Sequence, residues 1–159
     1  VPQSLRNEDR LKKRQSLYGF TLVEIMVVLV VISILAGIVY PSYQDAVRKG
    51  KRTEGRAALL ELLQQQERYY SQHNSYIIFN SSSSDENEKK FRWYSGSKPG
   101  NSAYEISAEA CENDTIQNCV LLMAKPGTEK VDKNFNDPLC GKLTLTSTGV
   151  KKAGTPNCW

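Results

Sequence analysis

From Phe20 to Tyr40 the chain runs for 21 residues with a single charge, the carboxylate of Glu24. At a rise of about 1.5 Å per residue, a helix of that length spans roughly 31 Å, enough to cross a bilayer. Arg6, Arg10, Lys12, Lys13 and Arg14 precede the run, against Glu8 and Asp9. That excess of cations leaves the N-terminal side in the cytoplasm and sends the rest outward. An ordinary secretory signal carries a small-residue cleavage site after its apolar core. Here Pro41-Ser42-Tyr43 leads instead into more helix-compatible sequence.

Proline in a helix interior costs about 3 kcal/mol and typically kinks it, yet the helical pattern continues past Pro41. Tyr43, Val47, Gly50, Ala57, Leu60, Leu63 and Tyr70 recur at three- and four-residue spacings. They read as an amphipathic stripe facing a globular domain. Arg48, Lys49, Lys51, Arg52 and Arg56 are expected on or beside the opposite face, and Gly50 and Gly55 as points that weaken helix propensity. The pattern fades near His73-Asn74. The next segment, Ser81 to Glu88, is so polar that a mobile surface loop is expected.

Some 86 residues follow His73, enough for a small sheet. Tyr104-Glu105-Ile106-Ser107-Ala108-Glu109 alternates with period two, and Val120 to Ala124 is a short apolar run. Lys142 to Thr146 alternates again, Ser147-Thr148-Gly149 offers a turn, and Val150 to Ala153 suits a final strand. The expected fold class is α+β: a long N-terminal helix packed on a three- to four-stranded antiparallel sheet.

Cys111, Cys119, Cys140 and Cys158 all lie on the exported side, where an even count reads as two disulfides. A zinc site is disfavoured, because there is no CxxC pair and the only histidine, His73, is distant in sequence. Proximity favours Cys111–Cys119 and Cys140–Cys158, with crossed pairings still open. Either way the C-terminal region is stapled. No P-loop, GxSxG motif or metal cluster is present, so neither enzyme activity nor a cofactor is expected.

The formal charge of +4 misleads. The first 19 residues hold five of the 21 bases and two of the 17 acids, leaving 16 against 15. Any affinity for polyanions must therefore come from local arrangement. Candidates follow the polar loop: Arg92, Lys98, Lys125, Lys130, Lys133, Lys142, Lys151 and Lys152, interleaved with Trp93, Tyr94 and Trp159. Several sit in Gly-, Pro- or Asn-rich loops, and loops spaced along a sheet edge align their cations into a stripe that binds phosphates. The alternative is ordinary solvated charge, since ten acids balance ten bases after residue 73.

Gly19-Phe20-Thr21-Leu22-Val23-Glu24, with the apolar run behind it, resembles the type IV pilins. The resemblance implies that a prepilin peptidase removes a leader, residues 1–19, and methylates the new amine of Phe20. Residues 20–41 then serve as a transmembrane helix in the inner membrane and later as filament core. Residues 42–159 form the periplasmic, then extracellular, globular domain of the pilin fold. A carboxylate at the centre of a membrane helix costs about 2.5–3.5 kcal/mol, less near its end. The resemblance gives Glu24 a partner, the Phe20 amine of a neighbouring pilin subunit.

The four cysteines, the domain size and the run from Lys98 to Ala110 further resemble the minor pilins that act as DNA receptors in natural transformation. That implies binding of double-stranded DNA through an electropositive stripe, with the eight cations above as candidates. A minor pilin for adhesion or aggregation, or a structural subunit, is the alternative.

Overall fold

The computed structural model describes residues 19–159, so all of the expected leader except Gly19 lies outside the described residues. A single helix, α1, covers Leu22–His73 with Pro41 inside it. It starts on a cap: Thr21 Oγ1 accepts the Glu24 amide at 3.2 Å, filling one of the open donors of the first turn. It ends on Asn74, whose φ of 54° is left-handed and whose amide returns to the Tyr70 carbonyl at 2.8 Å. His73, in the last turn, stacks on Tyr69 with ring centroids 4.0 Å apart.

The described chain divides into two compact units at Pro41. In the first, the apolar side chains from Phe20 to Tyr40 are exposed, and the helix is long and apolar enough to cross a membrane.

The second unit, Ser42–Trp159, holds the core. Its sheet is a four-stranded antiparallel meander in the order β1-β2-β3-β4. The strands are β1 (Tyr104–Ala110), β2 (Val120–Pro126), β3 (Leu143–Thr146) and β4 (Lys151–Lys152). Period-two alternation sends Tyr104, Ile106, Ala108, Val120, Leu122, Ala124, Leu143 and Leu145 inward. Register pairs Ala108 with Leu122, Leu122 with Leu145 and Ala124 with Leu143. Gly149, at φ 85°, closes the β3–β4 hairpin with a 2.9 Å bond to the Thr146 carbonyl. The disulfides are Cys111–Cys119, across the β1–β2 connection, and Cys140–Cys158, tying the chain after β4 to the approach to β3.

The helix face against the sheet differs from the expected stripe. The buried residues are Arg52, Gly55, Ala58, Leu59, Leu62 and Gln66. Tyr43, Val47 and Leu60 are 66 %, 42 % and 44 % exposed. The run Ala57-Ala58-Leu59-Leu60-Glu61-Leu62-Leu63 offers two overlapping apolar faces, and spacing alone does not choose between them.

Three contacts make the choice. Gly55 lies against the Tyr104 ring, where a Cβ would sit 2.8 Å from Cδ2. Gln66 donates to the Ile77 carbonyl at 2.7 Å and accepts the Ile77 amide at 3.0 Å, acting as a strand neighbour. Arg52, expected on the solvated face, is buried against Asp137. Leu59 and Leu62 then enter the core, each contributing roughly 1.5–3 kcal/mol by burial.

The segment Ser81 to Glu88 is a surface connection, but a tied one. The Asn80 side chain accepts the Ser82 amide at 2.8 Å, and Asp85 Oδ1 accepts the Asn87 amide at 2.8 Å. The short 3-10 turn Glu88–Lys90 follows.

Candidate nucleic-acid interface

Strand register collects most of the candidate cations at one end of the sheet. Tyr104 opposes Pro126, Ala124 opposes Leu143, and Thr144 opposes Lys152, so these residues share an end. The segment 97–103 enters β1 there, and the loop 127–142 joins β2 to β3 there. Lys98, Lys125, Lys130, Lys133, Lys142 and Lys152 are therefore gathered on or beside this end, and all six are exposed. Backbone bonds hold the two loops together: the Asp132 amide donates to the Ser102 carbonyl at 2.9 Å, and the Gly127 amide to Ala103 at 3.1 Å. Lys51, which carries no signal for this role in the sequence, reaches from α1 to the Asn101 carbonyl at 3.2 Å.

Two candidates are differently placed. Arg92 lies beside Tyr94, which bridges to Glu105 on the β1 edge, the far side of the sheet from β4. Its guanidinium pairs with Glu61 at 2.9 Å and sits 5.9 Å from the centroid of the Tyr94 ring. Lys151 is exposed at the β4 edge with Nζ 5.4 Å from the Trp159 ring, and the Trp159 indole donates to the Lys152 carbonyl at 3.0 Å.

Among the described residues, ion pairs form at Arg48–Asp45, Lys51–Glu54, Arg52–Asp137 and Arg92–Glu61. None of the six lysines at the sheet end is in that set. Glu129 and Asp132 share their loop, and Glu105 stands opposite Lys125. Glu109, Glu112 and Asp114 instead lie at or beyond the opposite end, where β1 turns toward β2. The lysine end thus carries acids as well, but six lysines there outnumber Glu105, Glu129, Asp132 and Asp137.

A buried polar cluster anchors the loop 127–142. Arg52 donates twice to Asp137, Nε to Oδ2 and Nη2 to Oδ1, both at 2.8 Å. The Tyr104 hydroxyl donates to Oδ2 at 3.0 Å, and the Cys140 amide to Oδ1 at 3.2 Å. Burial pushes the Asp137 carboxyl up, but the hydrogen bonds from Arg52, Tyr104 and Cys140 outweigh it and hold the group below its ordinary range. Burial, reinforced by the Asp137 charge, pushes the Tyr104 hydroxyl well above its ordinary value. The bond to Asp137 raises Arg52 in turn, against burial. No local sequence signal marks this cluster, because its members come from three separate elements.

At the other unit, Gly19 and Phe20 are exposed and precede α1, and Glu24 sits in its first turn. Residues 18–40 match the family model of the prokaryotic N-terminal methylation motif. Residues 41–144 match the model described as type IV minor pilin ComP, DNA uptake sequence receptor. The chain belongs to the ComP family of type IV minor pilins.

As a ComP-family pilin it is anchored in the inner membrane by its apolar helix and then assembled into an extracellular pilus. The matched segment contains Lys98, Lys125, Lys130, Lys133 and Lys142, whereas β4 and Trp159 lie beyond it. A solved type IV pilin from Shewanella oneidensis is similar over 70 % of this chain and 97 % of that one, at 26 % identity and a TM-score of 0.46. Comparison with curated proteins gives no match.

Proposed function

We propose that this minor pilin binds double-stranded DNA for uptake during natural transformation, with Lys98, Lys125, Lys130, Lys133, Lys142 and Lys152 as phosphate contacts. The family description supports the ligand. The observation that carries the site is the gathering of these lysines at one sheet end, outside the ion pairs of the described residues. Lysines not neutralised by a carboxylate release counterions from DNA on binding, and this electrostatic contribution dominates non-specific affinity. Arg92, already paired with Glu61, contributes little.

Retardation of duplex DNA by the Ser42–Trp159 unit, titrated with salt, tests this. Each phosphate-contacting lysine replaced by alanine should flatten the log–log salt dependence by about 0.9. Absence of retardation at low salt overturns the reading in favour of a protein-binding role in adhesion or aggregation.

The same family membership carries a reading of the N-terminus. Prepilin peptidase cuts between Gly19 and Phe20 and methylates Phe20. Glu24 then pairs with the Phe20 amine of a neighbouring subunit in the filament. The match over residues 18–40 supports this, as do the exposure of Gly19 and Phe20 and their position ahead of the helix.

A further inference from the structure

Beside the lysine-bearing end, the outward face of the sheet carries a groove of about 680 Å³ along β3. Clefts that enclose small organic ligands fall at roughly 300–1,000 Å³. Leu121, Val150 and Ala153 give it apolar lining, and Thr144 and Thr146 give it hydroxyls. Both hydroxyls are held by backbone: Thr144 donates to the Lys152 carbonyl at 3.4 Å, and Thr146 accepts the Val150 amide at 3.0 Å. Cys111 and Cys140, one from each disulfide, belong to the walls.

The two ends of the groove carry opposite charge. Lys142 and Lys152 line one end and Glu112 the other. Lys142 directly precedes Leu143, which opposes Ala124, whereas Glu112 lies just past Ala110, which opposes Val120. From Val120 to Ala124 is roughly 13 Å of strand, shortened by the reach of the long side chains. Such a groove selects a ligand with an anion at one end, a flat apolar body, and a hydrogen-bond donor at the other. One nucleotide with an amine-bearing base has that order of groups. A carboxylate accepts from the exocyclic amine of cytosine, while thymine presents only an acceptor, its O4, at the equivalent position.

We propose that this groove takes one unpaired nucleotide, its phosphate at Lys142 and Lys152 and its amine-bearing base toward Glu112. The inference rests on the DNA-binding reading above and deepens it, since the groove's volume is that of a site for one small organic group. It adds a preference for single-stranded or locally opened DNA bearing amine bases.

Calorimetric titration of the Ser42–Trp159 unit with the oligonucleotides dC6 and dT6 at neutral pH tests it, with blunt-ended duplex retardation on the same preparation. The expected result is about tenfold tighter binding of dC6 than dT6, the scale of one hydrogen bond to a charged group. Glu112→Ala should bring the two affinities together. Lys142→Ala with Lys152→Ala should weaken both. Equal affinities in the unaltered protein, or a preference that survives Glu112→Ala, overturn the groove assignment. If the duplex is retarded in that case, the groove assignment falls alone; if it is not, the DNA-binding reading falls with it.

Discussion

Arg52 and Asp137, 85 positions apart, meet in a two-pronged ion pair beneath the loop that carries Lys130 and Lys133. The side chains are 11 % and 1 % exposed. Together with the Gly55–Tyr104 and Gln66–Ile77 contacts, the pair fixes which face of α1 meets the sheet, and it sets the base of the loop. Removing one partner strands a buried charge, whereas removing both does not.

Asp137→Asn or Arg52→Met should therefore each destabilise the Ser42–Trp159 unit by about 3–5 kcal/mol. The double variant Arg52→Met with Asp137→Leu should recover much of that loss. Urea unfolding midpoints measure all three; additive losses in the double variant would contradict a coupled pair.

The same carboxylate makes stability depend on acid. Its folded pKa lies below the unfolded value, which is about 3.9 for aspartate. The unfolded chain therefore takes up the proton first as pH falls. The contribution of Asp137 is complete above the unfolded value and is lost as pH drops through the folded one. Thermal midpoints should fall below about pH 4, and less steeply in the Asp137→Asn variant.

Gly55→Ala tests the helix–sheet contact. Alanine favours a helix over glycine by about 1 kcal/mol. Here its Cβ would lie 2.8 Å from the Tyr104 ring, which is fully buried and held by its bond to Asp137. Overpacking of this kind costs about 1–3 kcal/mol, so the net effect should be destabilising. A more stable Gly55→Ala variant would show that Tyr104 shifts freely.

For DNA, Lys130→Ala with Lys133→Ala should flatten the salt dependence by about two units. Arg92→Ala, at the far edge and paired to Glu61, should change it by less than about half a unit. Comparable losses from both would point to a diffuse surface rather than one end of the sheet.

Glu24→Val should leave membrane insertion intact and block entry into filaments, read by fractionation and by pilus shearing. Edman sequencing of the mature chain should begin at methylated Phe20. Normal incorporation of the variant would remove the proposed Glu24–Phe20 pairing between subunits.

Much of the secondary structure is legible along the chain. Period-two alternation marks Tyr104–Ala110 and Leu143–Thr146, and glycine in a left-handed turn marks the hairpin at Gly149. The helix passes through Pro41 and stops at Asn74, as its pattern implies. The core face of α1 is not legible. Leu60 and Leu62 are equally apolar, and only Tyr104, Asp137 and Ile77 decide which turns inward. Arg52 reads as a solvated cation until its acid partner is brought to it from a distant loop.

The sequence by itself determined the membrane-length helix, the α+β class and the family, because each rests on local pattern or on a contiguous motif. The tertiary structure alone decided how charge is distributed. Ten acids and ten bases cancel in composition after residue 73, yet antiparallel register places Lys125, Lys142 and Lys152 at one end of the sheet with one strand acid, Glu105, and sets Glu109 toward the other. Net charge is a sum and carries no positions; the field that meets a polyanion depends on the positions.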